Sequence, residues 1–193
     1  PPCSLRFGIP CLAYLLHKYL KMNLTLIYNS KLSQSRDIKL STKSPMTKHI
    51  ALLGGTFDPI HIGHLRMAVE LRLAGFDEVR LIPNNVPPHR EQPKASAQQR
   101  LAMVKLACDQ LEQQGMTGIV TDDIELKRDQ PSYTVATLEL LREQLPKDTA
   151  LSWVIGDDAW QSIHGWHRID EFLSLANLVI INRGHENQFS ADT

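Results

Sequence analysis

From residue 49 onward, short apolar runs alternate with longer segments whose apolar residues recur every three or four positions. Short apolar runs are typical of buried strands, and the longer recurrence is typical of helices that bury one face. The pattern predicts strands at 49–53, 79–83, 119–121, 151–155 and 178–181, and helices at 63–74, 96–114, 134–145 and 169–175. Strands that alternate with helices form parallel sheets with crossover helices. We therefore predict an α/β fold with a doubly wound parallel sheet.

Charge divides the 193-residue chain into two unequal parts. Residues 1–45 contain seven Lys or Arg and one Asp, a net charge of +6, so the remainder of this formally neutral chain carries −6. A mildly acidic body has no field that would recruit nucleic acid. No apolar run reaches the roughly 18 residues of a membrane-spanning helix. Three scattered cysteines favour a reducing, cytoplasmic setting over a disulfide scaffold.

The basic segment 1–45 does not have the pattern of a domain start. Three interpretations stay open: upstream sequence translated by mistake, with Met46 as the true start; a targeting segment, because it is basic and nearly free of acids; or a functional extension. We predict a basic tail without stable structure over 1–45 and one domain over 46–193.

The segment between the first predicted strand and helix has the sequence Gly54-Gly55-Thr56-Phe57-Asp58-Pro59-Ile60-His61-Ile62-Gly63-His64. Ligands of open α/β sheets bind outside the carboxyl ends of the strands, where this loop is expected to lie. The two adjacent glycines allow backbone amides to approach an anion. Two histidines three apart at a helix start share one face, and the helix N-terminus adds partial positive charge. The loop therefore predicts a phosphate-binding cradle with two imidazoles.

Other readings of this loop fit less well. It lacks the Gly-Lys-Ser/Thr of a Walker loop and the G-x-G-x-x-G of a dinucleotide-binding turn. A zinc pair is disfavoured because no third ligand lies nearby in the sequence.

The histidine loop resembles the T/H-x-G-H signature of the nucleotidyltransferase superfamily, and four further segments resemble bacterial nicotinate-nucleotide adenylyltransferases. The first, residues 82–90, has the sequence IPNNVPPHR, and the second, residues 125–138, contains PSYT at 131–134. The third, residues 154–158, has the sequence VIGDD, and the fourth consists of Trp166 and Arg183-Gly184. The similarity extends over about residues 48–184. It implies the Rossmann-like nucleotidyltransferase fold and the transfer of an adenylyl group from ATP to nicotinate mononucleotide, which gives deamido-NAD and pyrophosphate.

The resemblance also implies which residues form the site. His61 and His64 would be catalytic, and with them Gly54, Gly55, Thr56, Phe57, Gly156 and Asp158 would bind ATP. The mononucleotide would be bound by His89, Arg90, Tyr133, Thr134, Trp166 and Arg183, with Trp166 stacked on the pyridine ring. Mg²⁺ would arrive with ATP, and no protein metal site is expected. His164 and His167 are expected to be surface residues beside Trp166.

Two alternatives to this function stay open. The chain could act on nicotinamide mononucleotide, phosphopantetheine or glycerol phosphate, as other members of the superfamily do, or it could be an inactive nucleotide-binding fragment. The family pattern closes with a Ser/Thr-rich motif that helps to bind the ATP phosphates, and this sequence reaches Thr193 without it. We therefore expect residues 46–193 to be C-terminally incomplete, with weak ATP binding and little turnover.

Overall fold

A computed structural model describes residues 23–27, 36–37, 47–85, 93–128 and 131–182. The strands are β1 Asn23–Ile27, β2 Arg36–Asp37, β3 His49–Gly55, β4 Glu78–Pro83, β5 Ile119–Thr121, β6 Ala150–Gly156 and β7 Asn177–Asn182. The helices are α1 Ile62–Leu73, α2 Ala97–Gln113, α3 Thr134–Gln144, α4 Asp157–Trp160 and α5 Ile169–Leu175, with a 3₁₀ turn at Ile163–Gly165. Every element predicted after residue 49 is present, with ends that differ by at most two residues.

The strands form one sheet in the order β2-β1-β7-β6-β3-β4-β5, and the five strands from β7 to β5 are parallel. The chain enters this parallel part at its centre, in β3. It winds outward through β4 to β5, then crosses back to β6 and β7 on the other side. The predicted doubly wound sheet is thereby confirmed, and its strand order reverses between β3 and β6.

Both faces of the sheet are covered, as the apolar run of β3 requires. Ala51 and Leu53 point into a core shared with α1 and α2. Ile50 and Leu52, which alternate with them, point into a second core shared with α3 and α5. All four side chains are buried, so β3 carries apolar residues on both faces and occupies the middle of the domain.

The start of α2 follows from a sequence signal that the structure confirms. Ser96 is the N-cap residue and its hydroxyl accepts a hydrogen bond from the Gln99 N–H at 3.2 Å. The Gln99 side chain in turn accepts from the Ser96 N–H at 2.9 Å. This reciprocal capping box satisfies two amides that the helix cannot pair internally.

Two short strands from the basic segment extend the sheet beyond β7. β1 runs antiparallel to β7, with Thr25 opposite Ile180, and β2 pairs with β1. The sequence pattern did not predict either strand. The division of the chain into a tail of 1–45 and a domain of 46–193 stays a prediction. Within the described residues, no helix has the length and apolar character needed to cross a membrane.

The indole of Trp153 packs directly against Gly54 near the point where β3 and β6 separate. A Cβ atom on Gly54 would lie 2.6 Å from Trp153 Cζ2, which is closer than carbon atoms approach in folded proteins. The indole of Trp153, on β6, therefore occupies the space that any larger residue at position 54 would need. The absence of a side chain at Gly54 is a packing requirement of this sheet.

We predict that Gly54→Ala lowers the free energy of unfolding by about 1–3 kcal/mol, the usual cost of overpacking a core. Gly165→Ala is the matched control, because a Cβ there meets no atom within 4 Å. Thermal unfolding of both variants tests this, together with Gly54→Ala in a Trp153→Phe background, where the smaller ring should relieve the clash. Equal melting temperatures for the two glycine variants would contradict the prediction.

Candidate nucleotide-binding site at the strand ends

The loops that follow β3, β4 and β6 meet at the carboxyl edge of the sheet, where the strand order reverses. β3 pairs with β6 only as far as Leu52 and Trp153, whereas it pairs with β4 as far as Gly55 and Pro83. The last residues of β3 are therefore paired with β4 and no longer with β6. Ligands of doubly wound sheets bind at this position, outside the carboxyl ends of the strands where the order reverses.

The two predicted histidines lie together at the start of α1. His61 is its N-cap residue and His64 lies within its first turn. Their rings are stacked, with centroids 3.8 Å apart and an interplanar angle of 30°. The structure thus places both imidazoles on the shared face that their spacing predicts.

Backbone hydrogen bonds determine which ring nitrogen of each histidine carries the proton. His61 Nδ1 accepts from the Gly63 N–H at 3.2 Å, and His64 Nδ1 accepts from the His61 N–H at 3.3 Å. A nitrogen that accepts a hydrogen bond has no proton, so in the neutral rings Nε2 carries it. Each imidazole therefore presents an Nε2–H donor on the side opposite the helix backbone.

Phe57 supports the histidine pair from below. Its ring is buried, with 2% of its surface exposed, and it lies edge-on to His64 at 5.0 Å between centroids. Its backbone is left-handed, with φ of 50°, which turns the chain sharply after Gly55. A Cβ on Gly55 would lie 3.0 Å from this ring. The Phe57 side chain is therefore packed between His64 and Gly55, so a bound nucleotide would contact only the Phe57 backbone.

Asp58 joins the histidine loop, residues 54–64, to the segment just before α2. Its carboxylate accepts hydrogen bonds from the backbone N–H of Lys94 at 2.6 Å and of Ala95 at 3.3 Å. The peptide bond between Asp58 and Pro59 is cis. Thr56, just before this turn, accepts a hydrogen bond at Oγ1 from Asn84 Nδ2 at 3.2 Å. The loop after β3 is thereby connected to the loop after β4.

Arg100, on α2, is a functional candidate that the sequence reasoning did not single out. It is 1% exposed and contacts both loops. One signal could have found it: α2 buries Arg100, Val104, Cys108 and Leu111, an arginine at the apolar spacing of a helix face. A buried arginine at such a position needs several hydrogen-bond acceptors.

The segment expected to bind the mononucleotide forms the start of α3. Tyr133 is the N-cap residue, although its side chain makes no capping hydrogen bond, and Thr134 is the first helical residue. Ser132 Oγ accepts from the Asn85 N–H at 2.9 Å, which links this segment to the loop after β4. Amides at the start of α3 therefore lie close to the same edge of the sheet.

A buried carboxyl group lies beneath that helix start. Glu125 is 5% exposed, and its Oε1 accepts a hydrogen bond from Thr137 Oγ1 at 2.7 Å. Burial raises the pKa of Glu125, although hydrogen bonds from Thr137 and Ser132 and the charge of Arg128 oppose the rise. The hydrogen bond to Thr137 ties this buried carboxyl group to the first turn of α3.

Aromatic residues from the segment before α5 lie near this helix start. The exposed His167 ring lies 4.5 Å from that of Tyr133, at an angle of 34°. Trp166 is half-buried and packs edge-on against Phe172 at 5.8 Å. His164 is exposed, as expected. The contact between His167 and Tyr133 was not predicted, because ring stacking between distant segments has no signal in local sequence.

The third strand end is formed by Gly156 and the short helix α4. Gly156 is buried and is the N-cap residue of α4. Asp158 is exposed, and its backbone N–H donates to Asp157 Oδ1 at 3.1 Å. Three predicted site residues, His89, Arg90 and Arg183, lie outside the described residues. Among those described, no three His, Cys, Asp or Glu side chains are grouped closely enough to hold a metal ion.

Two curated relatives share a large part of this sequence. The "Probable nicotinate-nucleotide adenylyltransferase" of Aeromonas salmonicida (strain A449) is 53% identical over 132 residues, which is 68% of this chain and 59% of the relative. The protein of the same name from Pseudomonas putida (strain GB-1) is 46% identical over 143 residues, 74% of this chain and 63% of the relative. The chain thus spans about three fifths of the length of these relatives.

Solved structures share the fold at low sequence identity. The Plasmodium falciparum nicotinic acid mononucleotide adenylyltransferase complexed with NaAD aligns with a TM-score of 0.59 and 16% identity, over 72% of this chain and 77% of that one. The same enzyme complexed with APC aligns with a TM-score of 0.58 and 21% identity, over 75% of this chain and 67% of that one. Identities this low establish the shared fold alone.

The family match extends over most of the described chain. Residues 52–192, from the middle of β3 to beyond β7, match the family described as cytidylyltransferase-like. This range includes the histidine loop and the position between β3 and β6 where the strand order reverses. The chain belongs to the cytidylyltransferase-like family.

Proposed function

We propose that this protein transfers the adenylyl group of ATP to nicotinate mononucleotide, a step in the synthesis of NAD. The observation that carries the proposal is the stacked pair His61 and His64 at the start of α1, which follows β3 at the edge of the sheet where the strand order reverses. The acceptor is proposed from the names of the curated relatives and from the residues at the start of α3.

In this reaction a phosphate oxygen of the mononucleotide attacks the α-phosphorus of ATP. The bond from that phosphorus to the oxygen bridging to the β-phosphate breaks, and pyrophosphate leaves with the electron pair. The attacking oxygen is already anionic, so no general base is needed. The protein's contribution is to align the two anions and to stabilise charge that develops on the phosphoryl oxygens.

The histidine pair is suited to that electrostatic task. Backbone hydrogen bonds at Nδ1 orient both rings, and the Nε2–H groups are the donors that would meet the phosphate oxygens. The N-terminus of the twelve-residue helix α1 adds partial positive charge in the same place. Oriented donors of this kind do not reorganise as charge develops, which is the basis of their catalytic effect.

The acceptor is proposed to bind between α3 and the segment before α5. Backbone amides around Thr134 would meet the ring carboxylate, since the start of a helix favours negative charge. Trp166 would stack on the pyridine ring. His89, Arg90 and Arg183 remain proposed contacts to phosphate from outside the described residues.

The nucleotide is proposed to enter as its magnesium complex. Gly54, Gly55 and Thr56 would contact the phosphates, and Gly156 and Asp158 would contact the adenosine. Mg²⁺ prefers phosphate oxygens and water and needs few protein ligands.

The decisive experiment measures product formation from a panel of acceptors. The protein is incubated with ATP and Mg²⁺ and with nicotinate mononucleotide, nicotinamide mononucleotide or phosphopantetheine, and with CTP and glycerol phosphate. We expect pyrophosphate release and deamido-NAD, identified by mass spectrometry, to be greatest with nicotinate mononucleotide. Preference for another acceptor would assign the chain to a different reaction of the superfamily. ATP binding by calorimetry without turnover on any acceptor would identify an inactive nucleotide-binding protein.

Removing either imidazole should slow the reaction strongly. We predict that His64→Ala and His61→Asn each lower kcat by about 10²–10³-fold, the usual effect of losing one donor to developing charge. Asn at position 61 retains an acceptor suited to an N-cap, so this variant separates the donor from the cap. Steady-state rates and melting temperatures are measured together.

The matched control for these variants is His164→Ala, which removes an exposed imidazole from the 3₁₀ turn. It should leave kcat unchanged. Near-normal kcat in both His64→Ala and His61→Asn would show that the pair is not the reaction centre.

Trp166 tests the acceptor side independently. We predict that Trp166→Ala raises KM for nicotinate mononucleotide by about 5- to 150-fold, since a stacked ring contributes about 1–3 kcal/mol. KM for ATP serves as the internal control and should change little. If only KM for ATP rises, Trp166 contacts the nucleotide and the proposed acceptor site is wrong.

A further inference from the structure

Arg100 is a buried arginine between the loops that the proposed function assigns to the two substrates. It lies in the first turn of α2 and is 1% exposed. Its guanidinium has five donors in a rigid planar arrangement, and burial requires that these find acceptors. The direction of each donor therefore shows which segments this residue connects.

Its contacts bridge three segments of the chain. Nη1 donates to the Thr56 carbonyl at 2.7 Å and to Asn84 Oδ1 at 3.2 Å. Nη2 donates to the Asn85 carbonyl at 3.2 Å, and Nε donates to the Ala95 carbonyl at 3.3 Å. One side chain thus joins the loop after β3, the loop after β4 and the start of α2.

Each of the two loops leads directly to a proposed substrate contact. Thr56 is five residues before His61 in the loop that ends at the start of α1. Asn85 donates its backbone N–H to Ser132 Oγ and its Nδ2 to the Arg128 carbonyl at 2.6 Å, beside the start of α3. A shift of the guanidinium would therefore move the histidine loop, which is proposed to bind phosphate, relative to the start of α3, which is proposed to bind the acceptor.

The charge of Arg100 is not cancelled by a direct ion pair within the described residues. All four of its hydrogen-bond acceptors are neutral carbonyl or amide oxygens. Burial lowers the pKa of the guanidinium, and the charge of Asp58 opposes that shift. An arginine nevertheless stays protonated in proteins. A positive charge therefore lies next to the histidine loop, at the Thr56 carbonyl.

We propose that Arg100 is a positioning residue for adenylyl transfer, which sets the distance between the imidazole pair and the start of α3 through Thr56 and Asn85. This inference rests on the proposed function. A misplacement of about 1 Å costs about 10²-fold in rate when catalysis depends on alignment. A lysine cannot replace the planar fork, since its donors all lie on one atom.

Arg142 provides a matched control from the same domain. It also donates to backbone carbonyls only, at Leu175 and Thr149, and burial also lowers its pKa. Leu175 is the last residue of α5 and Thr149 precedes β6, so both partners lie near the amino ends of β7 and β6, at the opposite edge of the sheet from the histidine loop. Arg142→Lys therefore also removes a buried planar guanidinium, but it leaves the histidine loop undisturbed.

The first test compares Arg100→Lys with Arg142→Lys below both melting temperatures. We predict that both variants lose thermal stability, and that only Arg100→Lys lowers kcat, by about 10²-fold, with KM values nearly unchanged. In a His64→Ala background, Arg100→Lys should have little further effect on kcat, because residues that act as a unit are not additive. Equal kcat values in the two lysine variants would reduce Arg100 to a structural residue and overturn the inference.

A second readout does not depend on turnover. Nuclear magnetic resonance of the imidazole nitrogens of His61 and His64 reports the position of the pair directly. We predict that Arg100→Lys moves these signals and Arg142→Lys does not. If the wild-type protein fails to transfer adenylyl groups, the proposed function fails, but this measurement still decides whether Arg100 positions the pair.

A milder variant guards against misfolding of Arg100→Lys. Asn84→Ala removes one acceptor of Arg100 and the hydrogen bond to Thr56 Oγ1. It should move the imidazole signals in the same direction by a smaller amount. Unchanged signals in Asn84→Ala and Arg100→Lys together would contradict the proposal.

Discussion

The indole of Trp153 fills the space beside Gly54 at the point where the two central strands of this sheet separate. β3 and β6 remain paired up to Leu52 and Trp153, and beyond these residues β3 pairs with β4 alone. The backbone after Leu52 is therefore released from β6 while it is still held in the sheet on its other side. The histidine loop begins at this separation and leads to the start of α1.

The cap of α1 gives the histidines a structural role through Nδ1, and the proposed function gives them a chemical role through Nε2. A helix start leaves backbone N–H groups without partners, and Nδ1 of each ring accepts one of them. Those bonds keep the outer nitrogens as donors. A serine cap would satisfy a backbone group in the same way but would present no second donor, so helix formation alone does not require histidine here.

Local signals account for what the sequence predicted well. The short apolar run predicted β3, the Ser96 cap predicted the start of α2, and the spacing of His61 and His64 predicted a shared face. What escaped prediction depends on distant partners. The environment of Arg100 is formed by carbonyls 15 to 44 residues away, and the His167 ring meets a tyrosine from the start of another helix. β1 likewise forms only because the edge of β7 is available to pair with it.

The proposed anion site lies in a body with a net charge of −6, so the individual charges around it matter more than their sum. Asp58 lies within the histidine loop, but its oxygens accept hydrogen bonds from amides just before α2. Arg100 adds a positive charge that contacts neutral oxygens of the described residues. Asp158, at the end of β6, is in contrast exposed. Burial and hydrogen bonding, rather than composition, therefore determine which charges a ligand at the strand ends would meet.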